Sequence, residues 1–323
     1  MRFLKIVILI LAIPVFLAIA ISILDAYRTS YLRVSSHPEF VGDSYLIKNV
    51  HIIPMDKDTI LYNSMINIEN GIIRQIGIDT GSTSLPVIDG AGKFLLPGLT
   101  DMHVHVWDRY ELGLYLANGI TSIRNMWGQP MHPKMKSDIN SGKIIGPDFY
   151  SSGPKLTGPE FIGDDNTQLF TPEKAREAIV SCRKKGYDFV KTYNGLTPEL
   201  YEAIIDQATI EGLEIAAHPS SLLPYDFHLQ TAIKTIEHAE DIYQQALNYQ
   251  LDSFALQQVI ASFSLHPETA LCPTLTVFAN ISGLLEDSNI LQSPSLDFIN
   301  PLIKLVDSPA QFQRWQNDLK SNP

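Results

Sequence analysis

The sequence predicts an α/β protein whose larger part is a parallel sheet wound with helices. Two observations carry this. From Leu99 onward, short apolar runs alternate with amphipathic segments, the grammar of βα units. The clearest helical segments also carry their own start and stop signals. Pro172–Lys185 follows Thr171 in the cap position and ends before Gly186, and Pro198–Glu211 is framed in the same way by Thr197 and Gly212. A third helix is expected at Ser253–Ser264. The candidate strands are Leu99–Val106, Ile120–Met126, Asp148–Ser152, Asp188–Thr192, Glu214–Ala217, Thr235–Glu237 and Ala270–Val277. That is one strand fewer than a (β/α)₈ barrel needs.

Ahead of this part lies a different pattern. Leu46–Ile53, Ser64–Ile68 and Ile72–Gly77 read as strands of a small antiparallel sheet. Asn70-Gly71 between the last two is a hairpin signal, because both residues tolerate positive φ. Val87–Gly90 and Lys93–Leu95 add two short strands. Asp25–Phe40 is polar and mixed, and reads as a linker. At the N-terminus, Arg2 and Lys5 precede the uncharged run Ile6–Leu24. As a helix that run would be roughly 28 Å long, near the thickness of a bilayer core. It predicts a membrane anchor with its basic end in the cytoplasm and the body exported. A cleaved signal peptide is the alternative, with Ala18-Ile19-Ala20 as the small-x-small site and a periplasmic or secreted product. The expected divisions are 1–26 for the anchor or signal, 27–44 for the linker, 45–98 for the small β subdomain and 99–323 for the main domain.

Composition narrows the function. With 323 residues, 45% hydrophobic and 18% charged, the chain is a folded globular protein. The net charge of −11 argues against a nucleic-acid partner, which needs a basic patch. Cys182 and Cys272 are far apart and lack metal-type spacing, so they read as buried thiols, with a disulfide unsupported.

The chemistry is concentrated at strand ends. In Leu99–Val106, His103 and His105 share one face, together with Asp101. Two imidazoles so placed can bind one metal ion, although a lone His-x-His is weak evidence. Barrel enzymes place reactive groups at the C-terminal ends of strands. There Lys191 closes the fourth strand, His218 the fifth and His238 the sixth. Four histidines and a lysine at equivalent heights argue jointly for a metal cluster. Tyr193 and Arg124 are weaker candidates for substrate contact. Tyr193 has a core or rim position as its alternative, and Arg124 a structural ion pair. His132, His228 and His266 read as surface histidines in loops, and His51 as a member of the small sheet.

The stretch Leu96-Pro97-Gly98-Leu99-Thr100-Asp101-Met102-His103-Val104-His105 resembles the signature of the amidohydrolase superfamily of metal-dependent hydrolases. So do Glu69-Asn70-Gly71-Ile72-Ile73, Asn118-Gly119-Ile120-Thr121, Ile236-Glu237-His238-Ala239 and Cys272-Pro273-Thr274-Leu275. Within that superfamily the chain is similar to the imidazolonepropionase-like and prolidase-like branch. The resemblance implies a distorted (β/α)₈ TIM-type barrel with a small β-sandwich subdomain, here without its eighth strand and behind an N-terminal transmembrane helix. It implies two divalent metal ions, with zinc best suited to the histidines and manganese or cobalt as alternatives. His103 and His105 would hold the more buried ion, and His218 and His238 the second. Lys191 would bridge them as a carbamate; its alternatives are a pKa-shifted lysine bound to substrate or a solvated one. The implied reaction is hydrolysis of an amide, peptide-like or lactam bond in a small molecule by a metal-activated water. The family's last ligand and general base, an aspartate after Gly-Thr or Gly-Ser on the eighth strand, has no counterpart, so no catalytic base is identified. That departure raises three expectations: a C-terminally truncated chain, completion by a second polypeptide, or a metal-binding remnant without turnover.

Overall fold

The computed structural model describes residues 2–36, 42–78, 84–161, 166–229 and 232–321, with the side chains of the first helix described from Ala12 on. Residues 37–41 of the expected linker lie outside the described residues. The chain divides into two compact units, Met1–Leu99 and Thr100–Pro323.

The first unit begins with helix α1 (Arg2–Arg28). Among the described residues, no helix is long and apolar enough to cross a membrane. The expected transmembrane anchor is corrected on this finding. The membrane partner and the exported, membrane-anchored localisation that depended on it are corrected with it.

The rest of the unit is a four-stranded sheet in the order β3-β2-β1-β4, built from β1 (Tyr45–Ile52), β2 (Leu61–Glu69), β3 (Ile72–Gly77) and β4 (Val87–Leu95). Val50, Ile52, Ile66 and Ile68 form its core. The Asn70-Gly71 hairpin adopts φ of 53° and 72°, as its turn type demands. Two expectations change here. The sheet is mixed, because β4 runs parallel to β1. The two short strands also merge into one, with a register shift between Lys48 and Val50. The merger depends on Gly90, where a Cβ would fall 2.0 Å from Val50 Cγ1.

The second unit alternates strands and helices. In chain order they are β5 (Leu99–Val104), α2 (Tyr110–Ala117), β6 (Ile120–Asn125), α3 (His132–Asn140), β7 (Asp148–Ser151), β8 (Leu156–Thr157), β9 (Thr167–Gln168) and α4 (Pro172–Lys185). There follow β10 (Phe189–Thr192), α5 (Pro198–Glu211), β11 (Glu214–Ala217), β12 (Ile233–Glu237), the single turn α6 (Ala239–Asp241), α7 (Ser253–Leu265), β13 (Ala270–Cys272), α8 (Leu275–Glu286) and α9 (Ser308–Ser321). One sheet runs β5-β6-β7 and another β13-β12-β11-β10-β8-β9. The parallel bridge Ser152↔Phe189 joins them. Among the described residues, β5, β13 and β9 are edge strands, each paired with one neighbour. The expected seventh strand is shorter than its apolar run: it stops at Cys272, and Leu275–Val277 already belongs to α8.

Alternation along the strands explains what faces where. Val190 of β10, Ile215 and Ala217 of β11 and Ile236 of β12 pack in one core with Ile179 of α4 and Tyr201 and Ile204 of α5. The intervening residues face the other way: Phe189 and Ala216 meet Met126 in a separate cluster. Lys191, Thr235 and Glu237 share that second parity, which is the parity of a site rather than of a helix-covered surface. Both expected caps form. The Thr171 and Thr197 side chains accept from Lys174 and Leu200 backbone N–H groups, and Gly186 and Gly212 end their helices at φ of 81° and 66°.

Candidate metal centre

Four histidine rings converge at the C-terminal ends of β5, β11 and β12. The His103 and His105 rings stack with centroids 5.4 Å apart. His238 lies 4.7 Å from His103 and 5.1 Å from His218. His218 follows the inward parity of Ala216, but His238 does not follow that of Glu237, since alternation would turn it toward the helices. Its backbone instead takes φ 71°, a left-handed conformation costly for a residue with a Cβ, and this re-aims the ring into the cluster.

Lys191 completes the group. It is 1% exposed, and its Nζ has no hydrogen-bond partner. Burial pulls the amine down to about 8, against the opposing pull of the Glu237 carboxylate. Burial also lowers the imidazoles of His103, His218 and His238, and the charge of Lys191 adds to that effect. His218 falls to about 3. His105 has a side chain more open to solvent, yet its imidazole is lowered to about 3, first by desolvation of the ring and then by the charges of His103, Lys191 and Lys155. Near neutral pH the cluster therefore presents neutral imidazole nitrogens, the form that ligates metal.

The outer partners match a metal centre as well. His103 Nδ1 lies 2.7 Å from Glu237 Oε2, and His238 Nδ1 3.0 Å from Thr274 Oγ1. His218 Nδ1 lies 3.3 Å from Asp241 Oδ2, out of line for a hydrogen bond. Oxygen partners on the Nδ1 side of three rings leave the Nε2 side for an ion, as is usual for metal-binding histidines. By donor type, burial and protonation state, the residues present fit a divalent metal.

The remaining candidates are placed as follows. Arg124 donates from Nε to Met102 O at 2.8 Å, from Nη1 to Thr235 Oγ1 at 3.1 Å and from Nη2 to Glu237 Oε1 at 2.6 Å. Those internal partners engage its guanidinium as an ion pair within the fold. The Tyr193 ring lies 4.2 Å from that of His218 and 5.2 Å from Phe161. Asp101 accepts the His103 backbone N–H at 3.1 Å. His51 sits between Tyr62 and Phe94 in the small sheet, and His266 is half-exposed beside Glu268. His132 and His228 overturn their expectation. Both are 0% exposed. His132 bonds Val106 O, Asn125 and the Gln129 N–H, and His228 accepts the Ser220 N–H and contacts Tyr225 O. A histidine at the start of a helix or in a helical turn can brace the chain from inside with two ring nitrogens, which local sequence does not reveal. Both cysteines are free. Cys182 is buried, whereas Cys272 is only half-buried, with its Sγ within 4.8 Å of the ligand atoms of His103 and Glu237.

Several site residues carried no clear sequence signal. Glu237 is fully buried, and its inward parity with Thr235 was the available clue. Burial alone would raise it, but the His103 hydrogen bond and the charges of Lys191 and Arg124 hold it at about 2. Asp241, one turn past His238, is raised to about 7 by burial and by Glu240. Lys155 lies between the Trp127 and Tyr193 rings, its Nζ 4.7 and 5.1 Å from their centroids.

Comparison with known proteins follows the same line. The fold is similar to a protein from Bifidobacterium longum assigned as a prolidase, at 25% identity and a TM-score of 0.61, over 82% of this chain and 67% of that one. A bottromycin amidohydrolase shares the fold at 17% identity and a TM-score of 0.60, over 91% of this chain and 71% of the other. A Xaa-Pro dipeptidase does so at 19% and 0.58, over 81% and 72%. In sequence, the chain is 31% identical over 106 residues to a 5'-deoxyadenosine deaminase of Methanosarcina acetivorans, and 43% identical over 63 residues to a dihydroorotase of Carboxydothermus hydrogenoformans. These matches cover 31% and 20% of this chain, and span only 24% and 14% of the curated relatives' own lengths. No family model matches the chain. The resemblance is thus to the amidohydrolase superfamily, to its prolidases and amidohydrolases by structure and to its deaminases and dihydroorotase by sequence.

Proposed function

We propose that the chain is a metal-dependent hydrolase of carbon–nitrogen bonds, acting on a small amide, peptide-like or lactam substrate. One observation carries the reading. In a fold shared with amidohydrolases, four neutral histidines and a buried lysine without a hydrogen-bond partner meet at one set of strand ends.

His103 and His105 would hold one divalent ion, and His218 and His238 a second, with zinc first and manganese or cobalt as alternatives. The chemistry such ions supply is a more acidic water and a polarised carbonyl. Lys191 suits a bridging role. With its amine at about 8, a useful fraction is neutral near pH 7, and the free amine can add carbon dioxide and lose a proton to become an anionic carbamate. His218 is backed by the Tyr193 ring, which confines where a substrate can lie. The cation of Lys155 at the same wall suits a substrate with an anionic group, such as a dipeptide or N-acyl amino acid. The prolidase and dipeptidase neighbours point to that class too.

The test is metal analysis of the purified chain, followed by hydrolysis of a panel of dipeptides, N-acyl amino acids and lactams with zinc, manganese or cobalt. Bound metal with metal-dependent turnover supports the proposal. Bound metal without turnover would favour a metal-binding non-enzyme. Absence of bound metal would overturn both.

A further inference from the structure

The carboxylate of Glu237 is fully buried and used on both oxygens. Oε2 lies 2.7 Å from His103 Nδ1. Oε1 accepts from Arg124 Nη2 at 2.6 Å and from Thr235 Oγ1 at 2.5 Å. Arg124 is itself held in place by the Met102 carbonyl and lies over the Phe189 ring at 5.6 Å. These contacts tie β5 and β6 to one side chain of β12, and Arg124 extends the tie to β10 through the Phe189 ring. They also make the two oxygens inequivalent: the Arg124 and Thr235 donors occupy Oε1, and Oε2 faces His103, while the Cys272 thiol also hydrogen-bonds the carboxylate.

We propose that Glu237 is a positioning residue that sets the ring orientation and tautomer of His103, with Arg124 and Thr235 holding Glu237 in register. A carboxylate can only accept, so the ring nitrogen facing it must carry the hydrogen. His103 is therefore the Nδ1–H tautomer, with the Nε2 lone pair aimed away from Glu237. Arg124 acts through Glu237 rather than on substrate. The tautomer claim stands on this chain alone, while its use in ligating metal rests on the function proposed above.

Nitrogen NMR of the metal-free full chain tests it. The His103 ring is expected to be protonated at Nδ1. In Glu237→Gln, Arg124 and Thr235 require the amide oxygen, which turns the amide NH₂ toward His103. Its hydrogens donate to Nδ1, so the ring hydrogen moves to Nε2. Zinc affinity, read by competition with a chelator, should then fall roughly 10- to 100-fold, the usual cost of losing an outer partner of a metal-bound histidine. Thr235→Val keeps the carboxylate and removes one of its anchors, so it should keep the Nδ1–H tautomer with a smaller loss of affinity. A residue with a merely structural role would lower the melting temperature without moving the ring hydrogen. An Nε2–H ring in the unsubstituted protein would overturn the proposal, as would wild-type tautomer and zinc affinity in Glu237→Gln. Should Glu237→Gln not fold, the tautomer of the unsubstituted chain and the Thr235→Val result still decide it. A chain that binds no zinc yet shows the tautomer change would uphold the positioning role and overturn the metal reading.

Discussion

Two stretches of the second unit differ in how they use apolar residues. From Leu156 to Val259, strands and helices share one core, and Ile179, Val190, Tyr201, Ile204, Ile215 and Ile236 are essentially solvent-free. After β13, helices α8 and α9 and the turns between them bury no residue, and Leu275, Leu305 and Val306 stay 62%, 72% and 65% exposed. The apolar content of the two stretches is similar, so composition does not separate them. What differs is opposing surface. Strands β10 to β12 offer α4 and α5 a pleated face at matching spacing, whereas the C-terminal helices meet no such face among the described residues. The metal-centre candidates Lys191, His218 and His238 all project from the packed stretch, where rigid elements can hold a ligand set to a fraction of an ångström.

The packed stretch should be the costlier to disturb. Tyr201 is fully buried, its hydroxyl 2.8 Å from Thr192 Oγ1 and its ring against Phe227 and His228. Tyr201→Ala removes the ring and orphans a buried hydroxyl, and should cost about 3–5 kcal/mol in urea unfolding. A loss below about 1 kcal/mol would show that this core is looser than its burial implies.

His228 sharpens the contrast through pH. Burial lowers its imidazole to about 4, against about 6.5 in the unfolded chain. Above pH 6.5 the ring is neutral in both states. Between 6.5 and 4 the unfolded chain binds the proton and the folded one does not. Stability must therefore fall as pH drops through that window, by up to about 3 kcal/mol from this residue. His228→Leu should abolish that part of the acid dependence while costing about 1–3 kcal/mol at pH 7, because the Ser220 N–H loses its acceptor. An unchanged pH profile in the variant would place the acid sensitivity elsewhere.

Lys191 separates function from stability within the same stretch. A buried ammonium without a hydrogen-bond partner is destabilising, so Lys191→Met should raise the stability of the metal-free chain by about 1–2 kcal/mol. The same change should reduce metal content. Lower stability in the metal-free variant would mean that the amine is satisfied by the fold as it stands.

Legibility divides along similar lines. The caps of α4 and α5 and the seven strand positions could be read because they rest on local rules, those of cap chemistry and alternation. His103, His105, Lys191 and His218 could be read because strand parity places them. His238 could be named but its aim could not be explained, since a left-handed backbone breaks parity. Glu237 was visible only as part of a phrase: its partners His103 and Arg124 lie more than a hundred residues away, and no local pattern encodes that pairing. His132 and His228 were misplaced for the same reason, because a loop histidine is buried or exposed according to what the chain folds over it. The membrane reading of the first helix rested on the hydropathy of one local run, and among the described residues no helix is long and apolar enough to cross a membrane.

The smallest effect is expected in the C-terminal stretch, and it is the most direct check of the contrast. Leu305 is 72% exposed, in a helical turn (Ile303–Asp307) that buries none of its own residues. Leu305→Ala thus removes little area from a protected surface and should change stability by less than about 0.5 kcal/mol in the same urea titration that reads Tyr201→Ala. Asn300 ties this stretch to the rest of the unit, its Nδ2 donating to Asp108 Oδ2 at 2.5 Å. Should Leu305→Ala cost 2 kcal/mol or more, the exposed faces of α8 and α9 would have to be covered in solution. Sedimentation at several protein concentrations would then tell whether a second copy of the chain covers them, because a cost that arises from association must vanish on dilution.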